Sequence, residues 1–175
     1  MSKIIIIGAG AMGSAFTLPC LDNNHDISIV GTHLENDFID QLKKNDNFHP
    51  GLNTKIPKEI KIFKFEKFDE ILKSNVDLIV LGISYKGIKW VADQLSRLFK
   101  NSKIPKLLML TKGLSIHRNK YELLVDKLMR LLNDKGIKKA DISAVGGPCL
   151  AAGLANRVHS SVVIANKDIQ TAKKI

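Results

Sequence analysis

Near the N-terminus, Lys3-Ile4-Ile5-Ile6-Ile7 runs directly into Gly8-Ala9-Gly10-Ala11-Met12-Gly13, and no other stretch constrains the fold as much. Four consecutive isoleucines with no polar residue among them suit a strand buried on both faces, which requires helices above and below a parallel sheet. The GxGxxG pattern then reads as the turn from that strand into a helix. Gly8 permits the tight bend, Gly10 has no Cβ to obstruct a pyrophosphate, and Gly13 lets the helix lie close to its strand. The N–H groups and positive end of the helix would hold the anion. The pattern in this place predicts dinucleotide binding; an ordinary βα turn without a ligand is the alternative.

Strand and helix signals alternate from there on, which predicts a doubly wound α/β fold with helices on both faces of a mostly parallel sheet. Ser14 to Asn24 reads as the first crossover helix, kinked or cut short by Pro19. Ile27 to Val30 is the second strand and Leu34 to Lys44 the next helix. Asn45 to Pro57, with Pro50 and Gly51, reads as a polar loop, and Ile60 to Phe63 as a strand nearer an edge. A short helix over 68–73 leads to the buried strand 76–83 and an amphipathic helix with Ile88, Val91, Ala92, Leu95, Leu98 and Phe99 on one face. Trp90 lies just off that stripe and reads as packing. After the strand 106–110, Tyr121, Leu124, Val125, Leu128, Leu131 and Leu132 predict a helix closed by Gly136. His117 reads as a loop residue ahead of it. The strand 141–145, a small-residue helix after Gly146-Gly147-Pro148, a strand over 160–165 and a helix begun by Asp168 complete the series.

At 175 residues the chain suits one domain. Its net charge of +10 raises nucleic acid as a partner, but the lysines are scattered among acids, as in Lys64-Phe65-Glu66-Lys67-Phe68-Asp69-Glu70, with no basic block or array of stacking aromatics. No run approaches the ~18 apolar residues of a membrane span. The first apolar segment enters the glycine turn and is no secretion signal, so a cytoplasmic protein without membrane or nucleic-acid partners is expected. Cys20 and Cys149 have neither metal nor redox spacing, and reduced, buried thiols are the default.

Strand ends on the carboxyl side of such a sheet line its ligand crevice. The second strand ends at Gly31-Thr32-His33, where an adenosine ribose binds; the nearest acid is Glu35, so the sequence accommodates NADP and does not demand NAD. Thr32 and His33 read equally as caps of the next helix. Phe48 is placed to cover an adenine or to anchor its loop. Ile83 and Ser84 end the strand 76–83 toward the crevice. In Thr111-Lys112-Gly113-Leu114, Lys112 suits an anion or carbonyl oxygen, or else is a solvated loop lysine.

The set GAGAMGSA, FHPGLNTKIP, VDLIVLGIS, TKGL and GGPCLAAGLANRVHSSVVIA, in this order across nearly the whole chain, resembles the NAD(P)-dependent glycerol-3-phosphate dehydrogenases. The resemblance implies a Rossmann-type cofactor domain over residues 1–175. Its implied cofactor contacts are Gly8, Gly10, Ala11, Met12 and Gly13 at the phosphates, Thr32 or His33 at the ribose, Phe48 near the base, and Ile83, Ser84, Lys112 and Ala151 elsewhere. Lys112 would be the catalytic residue meeting both cofactor and substrate, with Gly147 and Cys149 also at the small phosphorylated substrate, dihydroxyacetone phosphate or glycerol 3-phosphate. The chain departs from the family pattern at Ser84, Cys149 and Gly153. Family members carry an all-helical C-terminal domain with the general acid/base lysine, so the chain is expected to stop short of it, and a homodimer of the full-length form is left open. A relative acting on another 2-keto or 2-hydroxy compound, and a dinucleotide-binding module without catalysis, are the other readings.

Overall fold

A computed structural model describes all 175 residues. The isoleucine run forms β1 (Lys3–Ile7), an interior strand of the main sheet. Its alternate side chains serve two cores: Ile5 and Ile7 enter one, Ile4 and Ile6 the other. This is why the run tolerates no polar residue.

From β1 the chain enters α1 (Ala11–Asp22) and returns as β2 (Asp26–Val30), parallel to β1 with Ile4 opposite Ile27. Pro19 does not cut α1 short. The helix continues for three residues beyond it, with Asn23 N–H still reaching the Pro19 carbonyl at 3.3 Å, and ends where Asn24 turns at φ 58°. Packing of Ala15 and Leu18 against Leu52 and Ala155 secures the preceding turn, so tertiary contact outweighs the bond that proline removes.

Next comes α2 (Asn36–Lys44), and Glu35, not Thr32 or His33, is its N-terminal flanking residue. The expected polar loop over 45–57 contains a small hairpin, β3 (Phe48–His49) with β4 (Thr54–Lys55). Asp46, Asn47 and Asn53 adopt positive φ and make its bends, the work glycine does elsewhere. β5 (Lys61–Phe63) is an edge strand of the main sheet, as its alternation predicts.

α3 (Phe68–Lys73), β6 (Leu78–Leu81), α4 (Ile88–Leu98) and β7 (Lys106–Met109) follow the predicted order. The expected single helix through Tyr121 does not form. Its first part is an antiparallel hairpin, β8 (Leu114–His117) and β9 (Lys120–Leu123), turned by Arg118 and Asn119 with both φ positive. His117 therefore lies in a strand. Only from Leu124 does α5 (Leu124–Asp134) place Leu124, Leu128 and Leu132 in the core.

β10 (Ile142–Gly146) joins β7 in parallel. After the five-residue α6 (Ala151–Ala155), β11 (Val163–Ala165) closes that edge antiparallel to β10. α7 (Ile169–Ala172) begins at Asp168, whose carboxylate accepts the Gln170 N–H at 3.0 Å. The seven-stranded order is β5-β2-β1-β6-β7-β10-β11. One core joins the sheet to α3, α4 and α5; on the other face α2 and the segment 56–60 cover β1, β2 and β5. No helix is long and apolar enough to cross a membrane.

Candidate functional site

Three glycines from three elements set the floor of the crevice. A Cβ at Gly8 would lie 2.7 Å from the Gly82 oxygen, and one at Gly82 would lie 2.8 Å from Gly13 Cα. Gly8 also has φ +104°. The turn after β1, the first turn of α1 and the end of β6 are thus packed backbone to backbone. Gly10 differs: nothing lies within 4 Å of where its Cβ would stand, so its surface is open to a ligand. Ser14 N–H bonds to the Gly10 carbonyl at 2.9 Å, and the earlier N–H groups of α1 have no helical partner.

The Ala9 peptide is held on both sides. Its N–H donates to Glu35 Oε1 at 3.0 Å. Its carbonyl accepts from Ser14 Oγ at 3.0 Å and lies 3.1 Å from His49 Nε2, which must carry the proton because a carbonyl only accepts. His49 is 3% exposed, stacks edge-on with Phe38 and leaves Nδ1 unpartnered. Burial pushes its pKa down from 6.5, against smaller upward pulls from the Ala9 carbonyl and Glu35. The second Glu35 oxygen accepts the Thr32 N–H at 2.7 Å.

Above this floor is a cleft of about 640 Å³ lined by Gly10, Thr32, His33, Glu35, Ile83, Ser84, Lys86 and Trp90, among others. The structure therefore gathers five predicted residues: Gly10, Thr32, His33, Ile83 and Ser84. Trp90 is half-buried packing as predicted, against Phe65 and Phe68, and it also supplies part of the cleft wall. Beside the cleft, Lys112 Nζ donates to the Gly147 carbonyl at 2.7 Å, joining the ends of β7 and β10. The Thr111 hydroxyl donates to the Ile83 carbonyl, tying β7 to β6.

Other predicted residues lie elsewhere. Phe48 is 37% exposed and does not line the cleft; strand alternation points its neighbour His49 at the glycine turn instead. Cys149 is buried in an apolar groove of about 510 Å³ on the α1 side of the sheet, away from the cleft. Met12 keeps its N–H at the start of α1 while its side chain enters that groove. Ala11 and Ala151 pack where α1 meets α6. Sequence reasoning missed Gly82 and His49. Gly82 had a signal, since Leu78-Ile79-Val80-Leu81-Gly82 repeats the apolar-run-then-glycine form of β1. His49 had none beyond its place in the loop.

Comparison with known proteins fits this geometry. A model of the NAD-dependent glycerol-3-phosphate dehydrogenase N-terminus matches residues 3–172. The chain belongs to this family. The NADP(+)-dependent glycerol-3-phosphate dehydrogenase of Archaeoglobus fulgidus is 28% identical over 98% of the chain and 49% of that protein. The glycerol-3-phosphate dehydrogenase [NAD(P)+] of Shouchella clausii is 27% identical over 99% and 48%. Among solved structures, the glycerol-3-phosphate dehydrogenase of Coxiella burnetii superposes with a TM-score of 0.77 at 19% identity, over 99% of this chain and 49% of that one. The sheet is thus the Rossmann-type fold of the glycerol-3-phosphate dehydrogenase N-terminus. The chain spans about half the length of the curated relatives it matches.

Proposed function

We infer that residues 1–175 are the dinucleotide-binding half of a glycerol-3-phosphate dehydrogenase whose substrate-gripping half is a C-terminal helical domain. The observation that carries this reading is the open Gly10 surface at the start of α1, set in a cleft with the ends of β2 and β6. The donor set suits a pyrophosphate: the N–H groups before Ser14 would hold its oxygens, and the Gly8–Gly13–Gly82 contact keeps them in place without a ligand. When bound, a nicotinamide cofactor would donate a hydride to C2 of dihydroxyacetone phosphate in its reduced form, or accept one from C2 of glycerol 3-phosphate in its oxidised form. The chain's own part is orientation and charge. Lys112, held at the Gly147 carbonyl, presents a cation at the strand ends where a developing alkoxide or a phosphate gains most from it.

The test is calorimetric titration of the chain with NADH and NADPH, with Gly10→Val as control. Saturable binding to the wild type and none to the folded variant supports the reading. Equal affinity in both overturns the placement of the site. Oxidation of NADH or NADPH that depends on dihydroxyacetone phosphate, assayed in a form carrying the C-terminal domain, tests the substrate; turnover on another 2-keto compound alone assigns the chain to a different dehydrogenase.

A further inference from the structure

The sequence places two groups favourable to an extra phosphate, Thr32 and His33, at the end of β2, with Glu35 as a more distant acid. The structure reverses that arrangement. Residues 32–35 form a turn closed by the Glu35 N–H on the Thr32 carbonyl at 3.0 Å. The Glu35 side chain folds back over this turn, so that its carboxylate bridges the N–H groups of Thr32 (2.7 Å) and Ala9 (3.0 Å). A fixed negative charge therefore lies between the end of β2 and the glycine turn, and it lines the cleft. His33 lines the same cleft and sets its ring against the aromatic wall. Its ring lies 5.1 Å from Trp90 and 6.1 Å from Phe65, centroid to centroid. Lys86, the lysine lining the cleft, belongs to the opposite wall, on the turn after β6.

A carboxylate at the end of the second strand receives the ribose hydroxyls of NAD and repels the 2′-phosphate of NADP. That repulsion is strongest where the charge is fixed by hydrogen bonds and half-screened from water. We propose that Glu35 is the specificity-determining residue of this cleft and makes the chain select NADH over NADPH. The inference rests on the dinucleotide reading above and separates the chain from the NADP(+)-dependent relative of Archaeoglobus fulgidus.

Parallel titrations of the wild type and Glu35→Gln with NADH and NADPH in one buffer provide the test, with thermal melts to establish folding. The wild type is expected to bind NADH at least tenfold more tightly, and Glu35→Gln to shift the ratio toward NADPH by tenfold or more. A wild type that binds NADPH as well as NADH, or a folded variant with an unchanged ratio, overturns the proposal. Should the variant not fold, the wild type is titrated with adenosine 5′-monophosphate and adenosine 2′,5′-bisphosphate. Tighter binding of the monophosphate is expected, and the reverse order overturns the proposal. A folded wild type that binds neither dinucleotide overturns the reading of the site itself, and the specificity assignment falls with it.

Discussion

Gly82→Ala adds one methyl group at the junction of β1, α1 and β6. The new Cβ would stand 2.8 Å from Gly13 Cα, about 0.6 Å inside the 3.4 Å at which ordinary contact begins, and 3.3 Å from the Ile7 oxygen. Both neighbours are backbone, so no side chain can swing aside; either α1 lifts from the sheet or β6 withdraws from β1. Overpacking of this kind costs about 1–3 kcal/mol. The unfolded chain loses some freedom with alanine, which returns about 0.4–1 kcal/mol. A backbone clash at 2.8 Å puts the cost in the upper half of that range, about 2–3 kcal/mol, so the net destabilisation is about 1–2.6 kcal/mol, and for a chain of this size each kcal/mol moves Tm by about 2–4 °C. A thermal melt should therefore show Gly82→Ala about 2–10 °C below the wild type. The same lift displaces the start of α1, so NADH affinity should fall in the variant. Gly10→Ala is the comparison: its methyl meets nothing within 4 Å, so Tm should stay close to wild type while NADH binding is lost. A Gly82→Ala protein melting at or above the wild-type temperature would refute the account of the three-glycine contact.

Three further outcomes follow from single groups. Lys112→Ala should leave most of the NADH affinity in place but remove turnover of dihydroxyacetone phosphate in the form with its C-terminal domain; normal kcat would show that Lys112 only ties β7 to β10. His49 has its pKa lowered by burial, so the unfolded chain takes up the proton first. Its contribution to stability is complete above about pH 6.5 and declines as pH falls below that value. The loss of Tm from neutral to mildly acidic pH should thus be shallower in His49→Gln, and equal slopes would contradict the assignment. Burial pushes the Cys20 thiol up to about 12, so iodoacetamide should label it only after unfolding; rapid labelling of the native protein at neutral pH would show that α1 opens readily.

Much of the architecture was legible because it depends on runs and periods. The unbroken isoleucines read as a strand covered on both sides, and the stripe Ile88, Val91, Ala92, Leu95 read as a helix face; all are buried as that requires. The hairpin of β8 and β9 was not legible. Tyr121 happens to stand at helical spacing from Leu124, Val125 and Leu128, and the turn at Arg118-Asn119 carries neither glycine nor proline to mark it. In the structure Tyr121 is 78% exposed, so no core contact enforces the period that the spacing suggested. The site divides in the same way. Gly10, Thr32, His33, Ile83 and Ser84 follow from strand ends, which topology brings together. The direction of the Glu35 side chain and the grip of His49 on Ala9 depend on turns at 32–35 and 45–57, whose conformations rest on positive-φ asparagines and local hydrogen bonds that no periodicity encodes.

The interior place of β1 has a consequence for synthesis. Made before both of its neighbours, β1 pairs on one side with residues 26–30 and on the other with residues 78–81. Its isoleucines therefore have one neighbour early and must wait for the second until residues 78–81 have been translated. During that interval the nascent chain carries an apolar β-prone segment with an unpaired edge, the kind of sequence that self-associates. Chaperone occupancy and aggregation of nascent chains should accordingly peak at lengths short of β6 and subside once Leu78–Leu81 has docked.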